Sequence, residues 1–227
     1  MKQTLLITIL AFSISAASAQ AYIQGGLNFA NITSTNDGQT EKNNMFTTFN
    51  VGLLSRFDLS KTVDLESGLL FTGRGSKAET YFNNGNDYVK STFNPYYVEV
   101  PLNVVVKAPL QKKTALFFHA GPYLAIGVGG KSKSESKIGP LYSSSSKSIK
   151  FSNDDPFTSQ QDDAAYDKLK RFDYGMNLGA GFEFEHLILK LNYGFGLAKI
   201  NSTESNNSAN DKNKYRTVSF SVGIPLN

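Results

Sequence analysis

The 227-residue sequence contains no cysteine and no tryptophan, and its only histidines are His119 and His186. Without cysteine there is no disulfide scaffold, thiolate metal site, cysteine nucleophile or lipid anchor on cysteine. Two histidines leave little for histidine-rich metal chemistry. Charge of one sign is also scarce: 23 Lys and Arg against 19 Asp and Glu give a net +4, scattered along the chain. A pI near 9.0 in that form does not imply nucleic-acid binding. After Gln20 no apolar run is long enough for a transmembrane helix. What the chain does have is 17 Phe, 11 Tyr and 19 Gly, with 40% hydrophobic residues, a composition that is neither disordered nor helical-membrane.

The first residues read as an export signal. Lys2 supplies a positive start, Thr4 to Ile14 an apolar stretch, and Ala17-Ser18-Ala19 the small residues that a signal peptidase reads. The division expected is a signal peptide over 1–19, cleaved before Gln20, and one β-barrel domain over 20–227. The remaining chain keeps a net charge of +3 once Lys2 is gone.

Past that point the dominant pattern has a period of two. Ile23, Leu27 and Phe29 alternate with Gln24, Gly26 and Asn28, and Phe49, Val51 and Leu53 with Thr48, Asn50 and Gly52. Val98, Val100, Leu102, Val104 and Val106 alternate with Glu99, Asn103 and Lys107. The same alternation recurs in Val63 to Phe71, Leu116 to Val128, Phe172 to Phe184, Leu189 to Leu197 and Val218 to Leu226, which makes eight strands. No stretch of helical period competes.

The connections alternate in length. Thr33 to Asn44, Gly75 to Phe93, Lys131 to Lys170 and Lys199 to Lys214 are long, whereas Asp58 to Lys61, Ala108 to Lys113 and Glu185 to Leu187 are short. An even number of antiparallel strands with short turns at one end and long loops at the other is the outer-membrane barrel layout. The apolar face collects Phe, Leu, Val, Ile and Tyr, while the other is small and polar, as in Gly175, Asn177, Gly179 and Gly181. An eight-stranded barrel is too narrow to hold the bulky face. Bulky residues therefore point outward, and the solvent they meet is lipid. Phe57, Phe71, Tyr96, Phe172 and Phe184, near strand ends, are expected as aromatic girdles. Pro101 and Pro122 fall within strands, where each removes a ladder donor, so a bulge or bend is expected there.

Pro95-Tyr96-Tyr97-Val98-Glu99-Val100-Pro101-Leu102 resembles a recurring strand of the small outer-membrane β-barrels of Bacteroidetes, often labelled "porin family" or PorT-like. Gly121-Pro122-Tyr123-Leu124, Phe172-Asp173-Tyr174-Gly175 with Gly179-Ala180-Gly181, and Asn192-Tyr193-Gly194-Phe195-Gly196-Leu197 follow in the order that family shows. The resemblance implies a small outer-membrane barrel and no shared catalytic residues. The chain departs from the barrel habit of ending on an aromatic residue, finishing Pro225-Leu226-Asn227.

By strand parity the inward face carries Arg56, Asp64, Glu66, Arg74, Glu99, Lys107, His119, Asp173, Glu183, Glu185 and Lys190. Charges in a narrow interior must be paired, so these are expected as structural ion pairs rather than a catalytic relay. If His186 and Leu187 form a two-residue loop, Glu183 faces Lys190; by the same logic Arg56 faces Asp64, and Arg74 serves Glu99. His119 has no accompanying nucleophile signature. No Gly-rich phosphate loop appears. The connection from Lys131 to Lys170 holds seven Lys and six Asp or Glu, with Ser143 to Ser146 at low complexity, and is expected to be a flexible, solvated loop. Its aspartates, Asp154, Asp155, Asp162, Asp163 and Asp167, lack EF-hand spacing.

The expectation is an all-β, eight-stranded antiparallel up-and-down transmembrane barrel with short periplasmic turns and long extracellular loops. It is expected to be a monomer in outer-membrane lipid, without enzymatic activity, cofactor, metal or nucleic-acid partner. An extracellular partner would be met through the Lys131 to Lys170 loop. The alternatives are a lipid-modifying enzyme with a site near the outer rim, and a soluble periplasmic lipocalin-like ligand-binding barrel.

Overall fold

Along Phe46–Asp58 the side chains of Phe49, Val51 and Leu53 are exposed and those of Thr48, Asn50 and Leu54 are buried, as a period of two demands of a strand with different solvents on its two faces. A computed structural model describes residues 19–36, 39–42, 45–111, 113–152, 168–198, 200 and 212–226. The export-signal residues up to 18 and the aspartates at 154, 155, 162, 163 and 167 lie outside the described residues.

Eight strands close a ring: β1 (Ala19–Asn36), β3 (Phe46–Asp58), β4 (Val63–Gly73), β6 (Asp87–Gln111), β7 (Thr114–Ile138), β11 (Phe172–Glu183), β12 (Ile188–Gly196) and β13 (Lys212–Pro225). Each is antiparallel to the next, and β13 returns to β1 from Tyr22↔Pro225 to Thr35↔Lys212. The ring leaves no open edge within the barrel, which is what a sheet in hydrocarbon requires, since its backbone groups find no water there. Among the described residues no helix is long and apolar enough to cross a membrane, which says nothing of crossing by strands.

Shorter strands extend the ring at the end opposite the tight turns. β2 (Gln39–Lys42) pairs with β1, β5 (Ser76–Phe82) with β6, and β8 (Leu141–Ser148) with β7; β9 (Lys150–Ser152) and β10 (Lys168–Lys170) form a parallel pair. The connections expected as loops over 75–93 and over the first half of 131–170 are therefore hairpins. Lys131, Lys133, Glu135 and Lys137 alternate with Ser132, Ser134 and Ser136, a period of two written entirely in polar residues. Hydrophobic alternation cannot register it. The β7–β8 turn uses Gly139 at φ 58°, in the left-handed region that glycine enters at no steric cost.

The prolines behave differently from expectation. Opposite β7, strand β6 pairs at Pro101↔Tyr123 and again at Val104↔Ala120 with the same offset, so the ladder skips two positions without a bulge. The register shifts instead at Tyr96/Tyr97, opposite the glycine-rich 127–130, and at Pro109/Gln111.

The outward set matches the periodicity: Leu69, Val100, Val104, Leu178, Phe182, Leu191, Phe220 and Val222 are all exposed. Phe71 stacks on Tyr96 at 5.4 Å, with Phe49 at 5.9 Å from Phe71, in one aromatic cluster on that surface. The interior is less uniformly small than expected. Tyr22, Leu54, Val105, Phe117 and Ile188 form an apolar layer inside near the tight turns, and Tyr97, Tyr123 and Tyr215 lie inside near the other end. Glycines on β11 make room for them: a Cβ at Gly181 would stand 2.4 Å from Phe117 Cζ, and one at Gly179 2.3 Å from His119 Nε2.

Candidate functional site: the charged interior

The inward charges gather into two clusters separated by a belt of amides. The lower cluster, near the tight turns, centres on Glu66, which is completely buried on β4. Arg56 Nε lies 2.9 Å from its Oε2, and the Tyr22 hydroxyl donates to the same oxygen at 2.8 Å. Asn103 Nδ2 donates to Oε1 at 3.0 Å, and Lys190 Nζ pairs with that oxygen as well. A carboxylate so surrounded has both oxygens satisfied, the condition for holding a charge away from water. Arg56 reaches on to Glu183 at 2.5 Å while its guanidinium lies 4.4 Å over the Phe117 ring. Lys107 completes the cluster, 2.7 Å from Asp64 and 3.9 Å from Glu183. Three cations meet three carboxylates.

Two of the expected partners are corrected here. Glu183 stands opposite Ile188, and Lys190 opposite Gly181, so Lys190 serves Glu66 across the lumen. Arg56 stands opposite Glu66 rather than Asp64, and Asp64 serves Lys107. Both turns span four residues. In one, Phe184 N donates to Leu187 O at 2.7 Å; in the other, Ser60 Oγ accepts from Val63 N at 3.1 Å. Each pairing is thus two residues from the one expected. Glu185, expected inside, is exposed in its turn and pairs with Lys113.

The belt joins Gln24 Nε2 to Asn50 Oδ1 at 3.2 Å, Asn50 Nδ2 to Asn28 Oδ1 at 2.6 Å, and Asn28 Nδ2 to Thr72 Oγ1 at 2.8 Å. Above it, Arg74 pairs with both Glu99 and Asp173. The Tyr123 hydroxyl donates to Asp173 at 3.0 Å, and Asn177 Nδ2 to Glu99 at 3.1 Å. The rings of Tyr123, Tyr97 and Tyr215 surround the Arg74 guanidinium at 4.5, 5.3 and 5.7 Å. Cations over aromatic faces are attracted more strongly when water is absent. Tyr97, Tyr123 and Tyr215 share the inward parity of Glu99, His119 and Ser221 on their own strands, the signal that would have assigned them beside Asp173.

Over this cluster sits an apolar lid. Ile149, Leu169 and Ile200, from the connections beyond the barrel, pack on Ile32, Tyr97, Tyr123 and Tyr215, with Phe93 and Phe151 alongside. At the other end a cavity of about 400 Å³ opens between Arg56, Lys61, Lys107, Lys113, Glu183 and Glu185. His119 is buried with its ring 6.2 Å from that of Phe117. Among the described residues no group of three or more His, Asp or Glu is placed to hold a metal ion.

The sequence from 15 to 202 matches the family model described as "Outer membrane protein beta-barrel domain". Among solved structures, the chain is similar to Ail, the attachment invasion locus protein of Yersinia pestis, with 17% identity, a TM-score of 0.41, and coverage of 92% of this chain and 99% of that one. It is similar to Neisserial surface protein A, with 9% identity, a TM-score of 0.41, and the same coverage of 92% and 99%. OprG from Pseudomonas aeruginosa has 12% identity and a TM-score of 0.42, over 92% of this chain and 96% of that one. No curated protein matches the sequence.

Proposed function

The chain belongs to the outer membrane protein beta-barrel domain family, and from that premise we propose that it is a closed, non-enzymatic scaffold that displays its long-hairpin end outside the cell. The observation that carries this reading is the pairing of the interior. Arg56, Lys107 and Lys190 meet Asp64, Glu66 and Glu183, and Arg74 meets Glu99 and Asp173, so these ionised groups hold one another. Groups committed in this way fix the wall of the barrel rather than a substrate. The apolar lid over Arg74 supports closure, and eight strands leave no wide aqueous channel.

In this reading residues 1–19 are removed before Gln20, the tight turns face the periplasm, and the protein is a monomer whose partner is met through 131–170. The order of the Pro95–Leu102, Gly121–Leu124, Phe172–Gly181 and Asn192–Leu197 runs supports a place among the porin-family, PorT-like barrels of Bacteroidetes. Arg56, Asp64, Arg74, Glu99, Glu183 and Lys190 are structural in it.

The test is conductance across planar bilayers holding the purified barrel, with lipid hydrolysis followed in vesicles that hold the same protein. The expected result is no steady ion current and no lipid product. A stable open-channel current from the unaltered protein, or release of fatty acid, overturns the proposal.

A further inference from the structure

The hairpin extension has two faces, and its charge is on one of them. On β6 the outward parity of Val98, Val100 and Leu102 continues upward through Tyr96 to Asn94, Thr92, Lys90 and Tyr88. The register shift at Tyr96/Tyr97 brings Lys131, Lys133, Glu135 and Lys137 of β7 opposite those same residues. Lys77, Glu79 and Tyr81 of β5 stand opposite Thr92, Lys90 and Tyr88, and β8 adds Ser148, Ser146, Ser144 and Tyr142. The outward face therefore carries five lysines and two glutamates. The opposite face of the same four strands carries serines and apolar residues, with Asp87 and Lys147 as its only charges. A hairpin that needed charge only for solubility would have no reason to place five of its six lysines on the side continuous with the lipid-facing band.

Height decides what that side meets. Strands rise about 3.3 Å per residue and tilt by about 40° in such barrels, so Thr92 stands about 10 Å above Tyr96 along the membrane normal. Lys77 and Lys133 flank Thr92, and Lys131 lies opposite Asn94, lower still. Their flexible stems let the ammonium groups settle at the polar boundary of the bilayer. Higher up, Lys90 lies 4.5 Å over the Tyr88 ring and 5.4 Å over that of Tyr81. The Glu135 carboxylate, hydrogen-bonded to Lys133, raises that ammonium above the ordinary lysine value and keeps it charged.

We propose that the outward face of the β5–β6–β7–β8 sheet is a docking surface for the phosphate of anionic lipid headgroups, with Lys77, Lys131 and Lys133 as its principal contacts. The lipid chains lie against Tyr96, Phe71 and Phe49 below, and the headgroup phosphate lies against the lysines. The inference deepens the proposed scaffold reading by naming what its hairpin end engages. It depends on the proposed orientation only for the identity of the leaflet.

The experiment uses the full folded barrel in neutral detergent, titrated with phosphatidate or phosphatidylcholine and read by native mass spectrometry. Retention of heat-modifiable migration on gels verifies that each variant is folded. The unaltered barrel is expected to hold phosphatidate more tightly than phosphatidylcholine. Lys77→Gln, Lys131→Gln and Lys133→Gln are each expected to weaken phosphatidate about fivefold, the factor that corresponds to roughly 1 kcal/mol per cation near an anionic surface. Phosphatidylcholine binding is expected to be unchanged, and Lys61→Gln with Lys113→Gln, at the opposite end, to leave both lipids unaffected. Equal binding of the two lipids by the unaltered barrel, or undiminished phosphatidate binding by the triple variant, overturns the proposal. Because detergent abolishes sidedness, this titration fails or succeeds independently of the orientation.

Discussion

Lys190, opposite the bare backbone of Gly181, crosses the lumen to Glu66, a partner 124 positions away in the sequence. Its nearer carboxylate, Glu183, is taken by Arg56. The first cluster is therefore one connected unit in which the fully buried Glu66 holds Arg56 and Lys190, while Glu183, at the mouth, meets Arg56 and, at 3.9 Å, Lys107. Glu66→Gln leaves Arg56 and Lys190 short of charge in a dry interior, and it is expected to cost about 3–5 kcal/mol. Glu183→Gln, at a side chain 22% exposed beside the open cavity, is expected to cost clearly less. Urea unfolding of both variants in detergent or lipid vesicles checks the order. A Glu183 variant as damaged as the Glu66 variant would contradict it.

The difference between Glu183 and Glu66 as partners of Lys190 shows what a period of two can and cannot specify. A one-residue slip moves every side chain to the opposite face and is forbidden wherever the two solvents differ. A two-residue slip moves none. The barrel strands, their faces and the inward charges other than Glu185 were legible in the sequence because each depends on parity. The registers across Leu59–Thr62 and Phe184–Leu187 depend on turn geometry, in which Ser60 Oγ bonds the backbone, and parity has nothing to say about that. The hairpins of β5 and β8 were hidden for a related reason. On β7 Lys131, Lys133 and Lys137 alternate with serines, β8 runs through serine on both faces from Ser143 to Ser146, and β5 alternates Lys77 and Glu79 with Ala78 and Thr80, so none of them carries a bulky apolar stripe.

The lid is tested through Gly127. A Cβ there would stand 2.2 Å from Phe151 Cε1, and the three atoms nearest to it all belong to the Phe151 ring. Gly127→Ala is expected to displace that ring from the apolar layer and destabilise the barrel. In a Phe151→Ala background the same change should be nearly neutral, giving a coupling of about 0.5–3 kcal/mol. Additive effects in the double-mutant cycle would show that Phe151 does not sit on Gly127.

Orientation has an unusually clean test, because the chain has no cysteine to give background labelling. Ser144→Cys, on the exposed β8, is expected to react with a membrane-impermeant maleimide on intact cells. Lys61→Cys, in an exposed tight turn, should react only after the outer membrane is opened. The reverse pattern would invert the topology.

The central claim is that the bulky face meets lipid while the charged face fills the interior. Since the chain also lacks tryptophan, a single introduced indole reports its surroundings against tyrosine alone. Val104, outward on β6, and Leu59, in the tight turn between β3 and β4, are both exposed. The most direct measurement is fluorescence quenching of Val104→Trp and Leu59→Trp by lipids brominated on their acyl chains, in vesicles holding the folded barrel. Strong quenching at Val104 with little at Leu59 is predicted. Equal and weak quenching at both positions, with a chain that stays folded without detergent or lipid, would contradict the account.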